Sequence, residues 1–154
     1  MSQVKIWIHA VWGTKNRQRI LFPEVLKKIC AHIITNAKSK NIHIDTINGH
    51  EDHIHALMLL QTANSIAMQM QLIKGECSAW ANKNKIIPDR LEWADKYFAA
   101  SVSESKIDIV RQYINNQQVH HARENFGDEY KRFLVSMGFV EEDGNTKESG
   151  DDLA

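Results

Sequence analysis

The chain has 154 residues, 43% of them hydrophobic and 25% charged, with 19 basic and 19 acidic side chains. That profile fits one soluble globular domain with a buried core. The longest unbroken apolar run is Ala56 to Leu60, far short of the roughly 20 residues a bilayer span needs, so no membrane partner is expected. The first residues, MSQVKIWIHAVWG, carry neither the charged start nor the cleavage site of a signal peptide. Cys30 and Cys77 sit apart in apolar helical patterns. Reduced core thiols and a cytoplasmic location are therefore expected, in place of a disulfide or a cysteine metal site.

The zero net charge is unevenly spread. Between Glu141 and Ala154 six acidic residues face Lys147 alone, which gives −5 there and leaves +5 on the rest. This predicts a domain over residues 1–140, a disordered acidic tail over 141–154, and a polyanion as partner. A solvated surface with a frayed end also fits the charge.

In chain order, Val4 to Trp12 reads as a strand rich in Val, Ile and Trp. The basic loop GTKNRQR follows, and Pro23 suits the first turn of a helix reaching about Lys40. A second strand runs from Ile42 to about Gly49, and a tight turn leads to a third from His53 to Leu60. Ser65 caps a helix ending near Asn82. Pro88 to Asp95 reads as a loop and Tyr97 to Ser103 as a fourth strand. A helix over Lys106 to Asn125 and a short one over Tyr130 to Met137 complete the domain. The order β-α-β-β-α-β then helix predicts an α+β, ferredoxin-like (split β-α-β) antiparallel sheet with helices on one face.

Two groups of side chains stand out. His53 and His55 are at i and i+2 of a strand, on one face and roughly 6.5 Å apart. That spacing suits two imidazoles on one metal ion, and it also suits two half-exposed surface residues. Tyr113 and Gln117, in VRQYINNQQVHH, are at i and i+4 of a helix. Tyr113 also fits a core aromatic with its hydroxyl at the rim, and Gln117 a solvated neighbour.

With DHIH at 52 to 55, YINNQ at 113 to 117, and WGTKNRQRILF, IKGECSAW, YFAASVSES and NQQVHH in order, residues 4 to 126 resemble a known family. It comprises the small single-tyrosine transposases of the insertion sequence 200/605 kind, in the HUH endonuclease superfamily. One stretch departs: Ala94 and Asp95, in EWADKYFAAS, stand where the family often has Trp-Gln. The resemblance implies a C-terminal catalytic helix whose Tyr113 attacks a backbone phosphorus of single-stranded DNA, giving a 5′-phosphotyrosine and a free 3′-hydroxyl. It implies His53, His55 and Gln117 as ligands of Mg2+ or Mn2+. It further implies DNA with hairpin ends as substrate, and a homodimer in which one subunit's tyrosine helix can complete the other's site.

Lys15, Arg17, Arg19, Lys74 and Arg111 are candidate phosphate contacts, with Lys83, Lys85, Arg90, Arg123, Lys131 and Arg132 as further ones. Trp12 and Asn16 are candidate base contacts. A metal-dependent hydrolase is a competing reading, since HEDHIH loosely resembles the ligand run of metallo-β-lactamase-like enzymes, although its Asp52 is out of order and the chain is short. A non-catalytic relative that binds DNA hairpins is another.

Overall fold

The computed structural model describes residues 2–137, so the predicted acidic tail lies outside the described residues. Strands β1 (Trp7–Thr14), β2 (Ile44–His50), β3 (His53–Leu59) and β4 (Trp93–Val102) form one sheet in the order β2-β3-β1-β4. Every neighbouring pair is antiparallel. Helices α1 (Pro23–Ser39) and α2 (Ile66–Lys83) connect the strands. After β4 come α3 (Ile107–Asn115), the single turn α4 (Gln117–His120) and α5 (Phe126–Ser136). This is the split β-α-β arrangement read from the sequence.

Helices cover both faces. Ile8, Ala10 and Trp12 of β1, with Ile54, Ala56 and Met58 of β3, meet Leu26, Ile29 and Ile33 of α1 and Met70, Ile73 and Cys77 of α2. Alternate residues point the other way. Val11 and Phe98 pack on Phe126 and Tyr130 of α5, while Trp7 and Leu57 pack on Ile107 and Ile114 of α3. Burial on two sides explains why WIHAVWG and HIHALML are apolar almost throughout. It also isolates the histidines, which are the polar residues on an otherwise covered surface.

Four boundaries differ most from the sequence reading. β1 begins at Trp7 because its partners end there, opposite Leu59 and Val102; Val4 and Ile6 are exposed. β4 begins at Trp93 because the β1–β4 register shifts between Trp12 and Thr14, which lets Trp93 pair with Thr14. The long final helix breaks at Asn116 (φ −98°, ψ 23°). The Asn48 side-chain amide, reaching from β2, donates to the carbonyls of Ile114 at 3.0 Å and Asn115 at 3.3 Å. Those acceptors would otherwise serve the next helical turn. α5 then starts four residues before its predicted position, because the Asn125 side chain caps the Asp128 amide at 2.9 Å.

Gly49 lies in β2 where the strand crosses β3. A Cβ there would sit 2.2 Å from the carbonyl oxygen of His53, a backbone atom that cannot yield. Gly49→Ala is expected to cost about 2–3 kcal/mol, by pushing β2 off the strand that carries the imidazoles. Thermal melting checks this; an unchanged midpoint would show that the two strands separate freely there.

Candidate active site

β3 presents His53 and His55 on the face covered by α3 to α5, and both are 0% exposed. Each ring is held at Nδ1. Asp52 Oδ1 lies 2.7 Å from His53 Nδ1, and His9 Nε2, from the neighbouring strand β1, lies 2.9 Å from His55 Nδ1. The His53 ring also stacks on Phe126, with centroids 4.0 Å apart and planes 2° from parallel. Both Nε2 atoms then face one carboxylate oxygen, Glu129 Oε1 of α5, at 2.9 Å from His55 and 3.3 Å from His53.

Glu129 is the hub. Its other oxygen accepts a hydrogen bond from the Tyr113 hydroxyl and lies 3.5 Å from Nε2 of His121. Gln117 is fully buried, with Oε1 3.2 Å from His53 Nε2. Arg132 Nη2 donates to the Tyr113 hydroxyl oxygen at 3.1 Å and to Glu124 at 3.0 Å. Tyr113 and the histidine pair, 60 residues apart in sequence, thus meet within a single chain.

The charges follow from this geometry. Burial disfavours an ionised Glu129, but the neighbouring imidazoles of His121, His53 and His55, the last within hydrogen-bond distance, outweigh it and hold the carboxyl below the usual range. Burial, reinforced by the Glu129 anion, pushes the Tyr113 phenol above its ordinary value, and Arg132 only partly opposes this. His55 falls to about 4 and His9 to about 3, in both cases mainly through burial. Burial also acts against the His53 imidazolium, yet Asp52 and Glu129 overcome it and raise that group.

A stability test follows. His9 and His55 bind protons more readily unfolded, near pH 6.5, than folded, so their contribution is present above pH 6.5 and is lost as pH falls toward 4. His53, with its folded value raised, contributes fully below pH 6.5 and loses that contribution as pH rises through its folded value, so it offsets part of the change. The net change is a loss, on the order of 2–4 kcal/mol by pH 5. Thermal midpoints at pH 7.5 and pH 5 measure it, and a flat profile would mean that the imidazoles are solvated.

His53, His55 and Glu129 can place one ligand atom each within 4.8 Å of the others. This set suits a divalent cation: two imidazole nitrogens with their far sides tethered, and a carboxylate. Sequence reading supplied the histidines but not Glu129, which sits in the charged run DEYKR and looks like a solvated helix start. His9 did carry a signal, as the one polar residue in an apolar strand face.

The proposed DNA contacts are scattered. Trp12 is overturned as a stacking residue. It is 0% exposed on the α1–α2 side of the sheet, edge-on to Trp93 at 6.2 Å. Arg111 is engaged by Asp45 at 2.7 Å and Asp108 at 2.8 Å. Arg17 lies against α5, where a Cβ on Gly127 would meet its guanidinium at 2.7 Å. Asn16 is exposed with φ 58°, and Arg19 is exposed, 3.8 Å from Glu51. Lys15 and Lys74, with Arg90, Trp93 and Tyr97, line a groove of about 540 Å3 between α2 and β4.

The split β-α-β sheet thus sets a tethered imidazole pair on an inner strand opposite a tyrosine on a following helix. The family model "Transposase IS200 like" matches residues 2–117, and the chain belongs to that family. Among solved structures it is similar to a candidate transposase from Deinococcus radiodurans R1, with 23% identity and a TM-score of 0.58 over 75% of this chain and 93% of that one. It is also similar to a REP-associated tyrosine transposase bound to a REP hairpin, with 17% identity and a TM-score of 0.54 over 79% of this chain and 74% of that one. These identities establish a shared fold. No curated protein matches the chain. The family match includes Tyr113 and Gln117 but ends before Glu129. No helix among the described residues is long and apolar enough to cross a membrane.

Proposed function

We propose that this transposase-family chain cleaves and rejoins single-stranded DNA through a covalent bond to Tyr113, and so mobilises an insertion sequence. The observation that carries the reading is the convergence of the Tyr113 hydroxyl and both imidazole Nε2 atoms on one carboxylate, Glu129. In the forward step the phenolic oxygen bonds to phosphorus and the bond from phosphorus to the 3′ oxygen breaks. The phenolic proton ends on the released 3′-hydroxyl. The new 5′-phosphotyrosine conserves the phosphodiester energy, so a 3′-hydroxyl can reverse the step at a new end.

A phenol is a poor nucleophile near neutral pH, and here burial and Glu129 make it poorer. Arg132, donating to the same oxygen, is placed to offset negative charge as the proton leaves. His53, His55 and Glu129 would hold a divalent cation, with Gln117 Oε1 as the further ligand from α4. When bound, it would polarise the phosphate and stabilise the leaving oxygen. Two imidazoles favour Mn2+ over Mg2+.

Both imidazoles are sealed beneath α5, so a DNA strand reaches them only once α5 shifts, and Glu129 and Arg132, which α5 carries, take up the roles above when it settles back. The groove between α2 and β4 sets Lys15, Lys74 and Arg90 against Glu92 and Asp95, with Lys15 and Arg90 both paired to Glu92, so it offers the backbone of flanking DNA only a small excess of positive charge. The hairpin carried by the structural relative supports a hairpin-ended substrate. Tyr113 meets the histidines of its own chain, so one subunit holds a full set. Homodimerisation with exchanged helices is a separate proposal for sedimentation to test.

The test is mass. After incubation with single-stranded DNA from the flank of the source locus and Mn2+, the protein is expected to gain a covalently attached oligonucleotide. Hairpin binding with no adduct under any divalent ion favours the non-catalytic reading, which the burial of the imidazoles supports.

A further inference from the structure

We infer that His9 is a positioning residue that selects the tautomer of His55 and thereby aims a lone pair at the cation. This rests on the proposed metal site and adds to it a residue from β1.

His9 Nε2 and His55 Nδ1 are 2.9 Å apart, so one proton is shared on that line. Two neutral arrangements are open. If His9 donates, His55 carries its own proton on Nε2 and donates it to Glu129 Oε1, 2.9 Å away. No lone pair then faces the ion. If His55 donates from Nδ1, His9 accepts, and the Nε2 lone pair is free to coordinate. Passing from the first to the second, His55 Nε2 gives its proton to solvent. The shared proton moves to His55 Nδ1, and His9 Nδ1 takes one from solvent. The exchange is balanced.

Asp52 does the matching work for His53 at 2.7 Å, and as an anion it can only accept. The two ligands are therefore tethered differently, one to a carboxylate and one to a switchable ring. The bland alternative is that His9 fills space. It does sit among rings, edge-on to Phe98 at 6.2 Å, Tyr113 at 6.4 Å and Phe133 at 5.6 Å. Phenylalanine would fill that space equally well, and it cannot accept a proton.

The experiment compares Mn2+ affinity by calorimetry in the wild type, His9→Phe and His9→Gln, with thermal melts to check folding. Nitrogen NMR of the imidazoles reads the His55 tautomer in wild-type protein with and without Zn2+. His9→Phe is expected to fold and to bind Mn2+ about 10- to 100-fold more weakly. His9→Gln, whose amide oxygen accepts from Nδ1, restores affinity toward wild type. With Zn2+ bound, His55 carries its proton on Nδ1. Undiminished affinity in His9→Phe overturns the inference. So does a metal-loaded His55 protonated on Nε2, a result needing no variant. If wild-type protein binds no cation, the metal site itself falls and the inference with it, an outcome distinct from either of the others.

Discussion

Tyr113→Phe is expected to abolish the covalent DNA adduct, by at least about four orders of magnitude in rate, while hairpin binding is retained. The variant deletes one oxygen. The ring keeps its edge contacts with His55 at 5.7 Å and Phe133 at 5.5 Å, so α3 stays docked. What is lost are hydrogen bonds to Glu129 and Arg132, at a cost of about 1–3 kcal/mol for the partners left behind. The other described tyrosines are poor substitutes: Tyr130 is buried against Phe126, and Tyr97 lines the α2–β4 groove. Tyr130→Phe is the matching control and should keep the adduct. An adduct that survives in Tyr113→Phe would falsify the assignment of the nucleophile.

Glu129→Ala should weaken Mn2+ binding about 100-fold or more and lower the phenol's ionisation pH. Both effects have one source. The carboxylate provides the anionic donor beside His53 and His55, and its charge is what disfavours a phenolate at Tyr113 after burial has done its part. Calorimetry reads the first effect and ultraviolet titration of the tyrosines the second. Unchanged affinity would transfer the third ligand role to Gln117, whose Oε1 already lies 3.2 Å from His53 Nε2. Glu129→Gln separates charge from shape, because its amide oxygen can still accept from an imidazole.

The fold was readable because its signals are local. Ser65 announces α2 and accepts from Met68 N at 3.1 Å, and Pro23 opens α1. The i, i+2 spacing of His53 and His55 did place both rings on one face. The misreadings came from contacts distant in sequence. Nothing near Asn116 tells that Asn48, 68 positions earlier, will take the helix's carbonyls. Glu129 lies among Asp128, Tyr130 and Lys131 and becomes an acceptor for buried groups only because α5 folds back over β3. Trp12 was misplaced for a simpler reason: a tryptophan beside a basic loop suits a base-stacking surface, but strand alternation sets it on the α1–α2 side.

The two halves of the site are mounted on very different supports. His55 is carried by β3, hydrogen-bonded along both flanks by β1 and β2, whereas Tyr113 rides a nine-residue helix that ends at a break. Backbone amides of an inner strand exchange with deuterium only on deep unfolding, and those of a short surface helix exchange through small local openings. Deuterium uptake is accordingly expected to be slowest around residues 54–58 and orders of magnitude faster over 110–116. The imidazole half of the ion's seat would then stay fixed through each excursion, while the segment tethered to DNA remains free to travel.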